Sequence, residues 1–217
     1  MAYRKTQNVE ARLADNRNKI LSSARALVSE GGWREAQVSS VAAMAGLATG
    51  TVYLYFPSKA DLFVEVLSAV SQREVDVLQA ITKSDASPTE RLRMAVSTFV
   101  ERAMRNRRLA YALIAEPCQR EIDEARLTYR FQISKQIMRI VRDGQVSGDF
   151  RHDMDASIAA TVIVGGFMES LIGPLSPFDA DFNNDSHDTA AVRTLAGQIA
   201  EVCCCAVMTL PKKITTI

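Results

Sequence analysis

Residues 38–57 read VSSVAAMAGLATGTVYLYFP, and the spacing of three of them decides the fold. Ala42 stands four positions before Gly46, and Val52 stands six positions after it. Two short helices that cross at close range need a residue without bulk at the crossing. A glycine lets the backbone take the left-handed conformation of the tight turn between them. Val41 and Val52 then pack the pair together, and the second helix presents Thr49, Thr51, Tyr53 and Tyr55 outward. Alone, Ala-x3-Gly-x5-Val fits any small helical hairpin; its neighbours make it specific.

Outward from this pair almost everything reads as helix. Upstream, Leu13, Ile20, Leu21, Ala24, Leu27 and Val28 recur at helical spacing, with a stop at Gly31-Gly32. Downstream, Ser58 can cap a long helix whose buried stripe is Leu62, Phe63, Val66, Leu67, Val70, Val77, Leu78 and Ile81. A polar loop at 84–87 gives way to Ser87-Pro88-x-x-Arg91, which opens another helix with Leu92, Val96, Phe99, Val100 and Met104 on its apolar side. Pro117 separates a short helix at 108–115 from a long one near 118–143 that ends around Gly144 and Gly148. Helices at about 155–172 and 189–210 follow, joined by the loop GPLSPFDADFNNDSHD. The chain is expected to be all-α, with domains at 1–57 and 58–217.

The composition suits a globular protein: 217 residues, 47% apolar and 24% charged. A net charge of +1 excludes a uniformly basic polyanion binder, but the charge is unevenly spread. Residues 1–60 carry eight Lys/Arg against four Asp/Glu, whereas the remainder is net acidic, so the N-terminal part is the one expected to meet a polyanion. No secretory signal is visible. The longest apolar stretch, 156–178, is interrupted by Glu169, Pro174 and Pro177, which suits a helix buried in protein better than a membrane span. A cytoplasmic location is expected. Three of four cysteines are consecutive, at Cys203, Cys204 and Cys205, and point in divergent directions on a helix; reduced, packed thiols are expected rather than a disulfide or metal site. The two histidines, His152 and His187, neighbour aspartates in turns, and no catalytic motif or phosphate loop accompanies them. Neither an enzyme nor a cofactor is expected.

The stretch VSSVAAMAGLATGTVYLYFPSKADLF, with the helix before it, resembles the DNA-binding core of the tetracycline-repressor (TetR) family of bacterial regulators over roughly residues 13–70. That resemblance implies an N-terminal three-helix helix-turn-helix domain followed by a larger helical ligand-binding and dimerisation domain. It also implies that Thr49 and Thr51 approach base edges, that Tyr53 and Tyr55 reach phosphates or the groove wall, and that Lys59 and Ser39 pair with phosphates. A helix-capping role competes for Ser39, and a bracing role for the two tyrosines. The chain departs from the family pattern in having no charged residue from Ala36 to Ser58, so no Arg or Lys fork on guanine can come from the recognition helix. Thymine methyls, hydroxyl bonds or DNA shape would have to carry specificity, helped by Arg4, Lys5, Arg12, Arg17 and Lys19. Arg102, Arg105, Arg107 and Arg108 read as the solvated end of a helix.

A single helix-turn-helix makes few base contacts, so a homodimer on double-stranded operator DNA is expected. Its interface is assigned to Ala156, Ala159, Ala160, Ile163, Gly166, Phe167 and Ser170 on one helix and to Ala191, Leu195, Ile199, Val202, Ala206 and Leu210 on the last. Phe99, Met104, Tyr111, Phe131, Met138 and Phe167 are candidates to line a pocket for a small, hydrophobic effector, with Glu169 as a polar group in apolar surroundings. The expected activity is that of a ligand-responsive, sequence-specific transcriptional regulator, a repressor released by its effector. The alternative is a helical interaction or ligand-binding module whose DNA specificity is weak or lost.

Overall fold

The computed structural model describes residues 2–177 and 189–209, with side chains from Val9 onward. Ten helices lie among the described residues: α1 (Ala2–Glu35), α2 (Val38–Ala45), α3 (Thr49–Tyr55), α4 (Lys59–Thr82), α5 (Pro88–Arg105), α6 (Arg107–Ile114), α7 (Arg120–Ser147), α8 (Ala156–Glu169), α9 (Ile172–Leu175) and α10 (Thr189–Val207). The all-helical expectation holds, and the sequence signals mark most of the boundaries. Ser58 caps α4, its hydroxyl oxygen accepting from the Asp61 N–H at 3.0 Å. Ser87 and Glu90 form a reciprocal capping box at α5, with Pro88 in the first turn. Short α9 occupies part of what reads as loop. Residues 178–188 of that loop, His187 among them, and Leu210 lie outside the described residues.

Two compact units form, Met1–Val70 with Arg108–Leu127, and Ser71–Arg107 with Thr128–Ile217. In the first unit, α1 is really two helical pieces joined at Gly32, whose φ of 76° and ψ of −168° break the helix at the expected Gly31-Gly32 stop. A side chain at Gly32 would collide with the Arg108 guanidinium and the Glu116 carboxylate. Trp33, just past the break, meets Phe63 edge-on at 5.7 Å between ring centroids. Its indole N–H donates to the Ala112 carbonyl at 2.7 Å. Ile20, Ala24, Val28, Leu62, Phe63 and Leu67 complete a fully buried core around these rings.

The second unit is built on α5, α8 and α10, which pack against one another through Leu92, Val96 and Val100, Ala160, Ile163 and Phe167, and Ala200, Cys204 and Val207. Three arginines stitch it together. Arg91 donates to the Thr82 carbonyl at 2.7 Å and to Asp143 at 2.9 Å. Arg102 makes a two-pronged contact with Glu74, at 2.7 and 2.8 Å. Arg107 donates through two nitrogens to the Pro174 carbonyl, at 2.9 and 2.6 Å. The solvated-end reading of these arginines is therefore wrong for Arg102 and Arg107, and also for Arg108, which pairs with Glu116 in the first unit. Each has a partner distant enough in sequence to escape a local reading.

The surface of α8 needs correcting too. Ala156, Ala159, Ala160, Ile163 and Phe167, assigned above to an interface with a second copy, are buried within the chain. The exposed side carries Ile158, Val162, Gly165, Gly166, Glu169 and Ser170. Glu169 is thus exposed in the single chain rather than surrounded by apolar groups. On α10, Ile199 is buried, while Val202 (73% exposed) and Ala206 do face outward. This helix is long and apolar enough to cross a membrane by length and composition, and one face of it packs on α5 and α8. Cys203 and Cys204 lie on that buried face, while Cys205 is exposed; all four cysteines are unbridged.

Candidate nucleic-acid interface

The α2–α3 pair has the geometry its spacing predicts. Gly46 sits at φ 68° and ψ 33°, the left-handed region, and ends α2. Its N–H donates to the Ala43 carbonyl at 3.2 Å, and that of Leu47 to the Ala42 carbonyl at 2.9 Å. The helices are bent by 100° across this turn. Val41, Ala42 and Val52 are buried to within 1% at the crossing, so the pair is pinned where the small residue and the two valines meet.

With Val52 fixed inward, helical geometry sets where the rest of α3 points. Thr49 and Tyr53 are exposed, Tyr53 at 46%, while Thr51 and Tyr55 are half-buried on the flanks. The outermost side chain is Leu54, 84% exposed. Sequence reasoning missed it because an apolar residue in an apolar run reads as core; counting turns from Val52 finds it. The Tyr55 hydroxyl accepts from the Asn16 side-chain amide at 3.3 Å, which braces α3 against α1.

Lys59 lies at the first turn of α4, its ammonium donating to the Gln37 side-chain oxygen at 3.3 Å and standing 5.6 Å from the Phe63 ring centroid. Gln37 in turn donates to the Arg34 carbonyl at 2.8 Å. It occupies the N-cap of α2 without making a side-chain cap, and Ser39 is exposed in the first turn beyond it, so the capping role considered for Ser39 falls away. The supposed arm is helical as well: Arg4 and Lys5 fall on α1, their side chains outside the described residues. Arg17 pairs with Glu65 and lies 5.2 Å from the Phe56 ring centroid. Lys19 pairs with Asp15 at 2.7 Å. These two cations have carboxylate partners of their own, which a polyanion would have to displace.

Of the residues expected to line a pocket, the structure brings Phe99 and Phe167 together, their centroids 4.9 Å apart and both rings buried. Met104 borders a recess of about 180 Å³ with Glu101, Arg105, Thr189, Val192 and Arg193. Met138 is half-buried on α7. Phe131 is 61% exposed, with the Lys135 ammonium 4.6 Å from its ring centroid, so it does not line an interior cavity of this chain. Tyr111 belongs to the first unit, its ring 5.9 Å from the Arg108 guanidinium.

Two short helices at near right angles, crossed on small residues and presenting a polar and aromatic face, define a helix-turn-helix DNA-binding protein. Comparison with known proteins gives the family. Residues 20–66 match the model of the bacterial regulatory proteins of the tetR family, and residues 85–170 match a tetracyclin repressor-like C-terminal domain. The chain belongs to the TetR family. It is 25% identical over 160 residues to the fatty acid metabolism regulator protein of Bacillus subtilis, covering 70% of this chain and 80% of that protein. It is 27% identical over 189 residues to the HTH-type transcriptional repressor KstR of Mycobacterium tuberculosis, covering 84% and 81%. Among solved structures, FadR from Bacillus subtilis in complex with stearoyl-CoA superposes with a TM-score of 0.73, at 22% identity over 87% of this chain and 97% of that one. The chain is a DNA-binding transcriptional repressor that answers to a small-molecule effector, in a family of regulators rather than enzymes.

Proposed function

We propose that this chain works in the cytoplasm as a homodimer, its 1–57 part reading operator DNA and its 58–217 part binding the effector. The observation that carries the reading is the crossed α2–α3 pair, with Val52 buried and the opposite side of α3 open to solvent. In this reading Thr49 and Thr51 approach base edges, Tyr53 and Tyr55 lie along the groove wall, and Lys59 with Ser39 meets phosphates. Two recognition helices must lie about 34–36 Å apart to enter successive major grooves, so the dimer sets which spacing binds. The outward residues Ile158, Val162 and Val202, each more than 60% exposed, suit a face that a second copy covers.

The effector is proposed to be hydrophobic, with a long acyl chain as the first candidate. The kinship with a fatty acid metabolism regulator supports that class, as does the apolar interior around Phe99 and Phe167. Met104, Met138 and, through partner contacts, Phe131 and Glu169 are the remaining candidates in the second unit. Such an effector releases DNA to the extent that it binds better to the dimer whose reading heads are misaligned. The test is a gel shift with duplexes from the region upstream of the protein's own gene, with and without long-chain acyl-CoA. Salt-sensitive binding that Thr51→Ala or Tyr53→Ala abolishes, and that acyl-CoA releases, supports the reading. Absence of any sequence preference would favour an interaction module instead.

A further inference from the structure

The outward pole of α3 carries a feature of its own. At 100° per residue, Gly50 and Leu54 both lie roughly 160° from Val52, so they form the ridge directly opposite the buried anchor. Thr51 and Tyr53 flank that ridge on either side. Leu54 is 84% exposed, whereas Val52 is 1% exposed. At Gly50 no atom lies within 4 Å of where a Cβ would stand, so the ridge beside Leu54 is open and low. A bulky side chain there would hold the helix away from a surface; its absence lets Leu54 come close.

A leucine at this position can offer a base edge only apolar contact. In the major groove the one apolar group that distinguishes base pairs is the C5-methyl of thymine. No Lys, Arg, Asp or Glu occurs from Ala36 to Ser58, so the helix carries no charged group to make a stronger competing contact. We infer that Leu54 is a specificity-determining residue that reads a thymine methyl in each half-site, with Gly50 admitting the close approach. This rests on the reading of α3 as the helix that enters the major groove.

The experiment uses the full-length protein and proceeds in two stages. First, an operator is recovered by repeated selection from random duplexes. Then every thymine in it is replaced singly by deoxyuridine, which removes the methyl group and leaves every hydrogen-bonding group in place. One thymine per half-site is expected whose replacement weakens binding about threefold to tenfold, the scale of one or two buried methyl-sized contacts. Leu54→Ala is expected to bind the thymine and deoxyuridine duplexes equally at that position, with an unchanged dependence on salt. Leu54→Met, which keeps an apolar tip, retains the discrimination. If Leu54→Ala discriminates as well as the parent protein, or if no thymine responds, the inference is overturned while sequence-specific binding stands. If selection recovers no operator, the underlying reading of α3 fails, and the inference fails with it.

Discussion

The Arg108 guanidinium donates to both carboxylate oxygens of Glu116, at 2.8 and 3.1 Å, and to the Gly31 carbonyl at 2.6 Å. The two side chains are only 17% and 12% exposed. They sit over Gly32, where the backbone turns, and the Trp33 N–H points to the same carboxylate at 3.4 Å. Removing one partner of such a pair strands the other, at a cost of about 3–5 kcal/mol. Glu116→Ala is therefore expected to lower unfolding stability in urea by about that much. A double variant, Arg108→Met with Glu116→Leu, is expected to recover most of it, because no uncompensated charge remains. A loss below about 1 kcal/mol in Glu116→Ala would mean that the pair behaves as a solvated one.

Two caps predict how stability responds to acid. Glu90 accepts from the Ser87 hydroxyl at 2.8 Å and the Ser87 N–H at 3.0 Å, and the Ser87 hydroxyl above all holds its carboxyl below the usual 4.5. Asp155 accepts from the N–H groups of Ser157 and Ile158 and from the Ser157 hydroxyl, which holds it below the usual 3.8. A depressed carboxyl contributes stability above its unfolded value and loses it as pH falls through the folded one. Ser87→Ala should cost about 1 kcal/mol at neutral pH. The gap from the parent protein should narrow once the pH falls below the usual value of 4.5 and Glu90 takes up its proton. A gap that stays constant to low pH would show that the box acts through geometry alone.

What could be read from the sequence was local. Ala42, Gly46 and Val52 lie within eleven positions, so one spacing rule captures the crossing, and Ser58 and Ser87-Pro88 announce their helices within a single turn. What could not be read depends on distant partners or on helix rotation. Glu74 is 28 positions from Arg102, and the Pro174 carbonyl is 67 from Arg107. Helix α8 is a harder case: Ala, Ile, Val and Gly lie on its outward as well as its inward side, and only Ser157, Thr161 and Glu169 mark the outside, so its small apolar residues alone do not tell the two faces apart. Of the four residues expected outward on α3, Thr49 and Tyr53 are exposed and Thr51 and Tyr55 are half-buried, while helical rotation adds Leu54 as the outermost side chain.

The alkaline limb depends on Cys203 and Cys204, whose burial pushes both thiols up to about 11 from an ordinary 9.0. Here the unfolded chain ionises first, so it binds fewer protons than the folded chain between those two values, and stability falls as pH rises through them. Replacing both with Ala should flatten this part of the pH profile relative to the parent protein, whatever other groups contribute. A thiol reagent at pH 8 should label exposed Cys205 quickly and the other two only on unfolding. Fast labelling of Cys203 in the folded protein would contradict its burial on α10.

If a second copy covers the outward side of α8 and α10, a charge placed there should separate the protomers. Val202 is 73% exposed and Val162 is 62% exposed, so Val202→Glu or Val162→Glu leaves the fold of one chain intact. Sedimentation is expected to show monomers and an unchanged helical spectrum, with operator binding weakened at least tenfold because each half-site must then be read alone. A dimer that survives both substitutions would place the interface elsewhere.

Lys59 offers the most direct test of a phosphate contact. Its ammonium is already oriented by the Gln37 side-chain oxygen at 3.3 Å and by the face of Phe63, so little freedom remains to be lost on meeting DNA. A phosphate contact is indifferent to sequence. Lys59→Gln should therefore weaken operator and random duplexes by the same factor and lower the slope of log affinity against log salt by about 0.9. Gln37→Ala keeps the charge but removes the oriented oxygen; it should weaken binding less and leave the slope alone. If Lys59→Gln lowers affinity for the operator only, with the slope unchanged, Lys59 is reading bases or shaping α3 rather than neutralising the backbone.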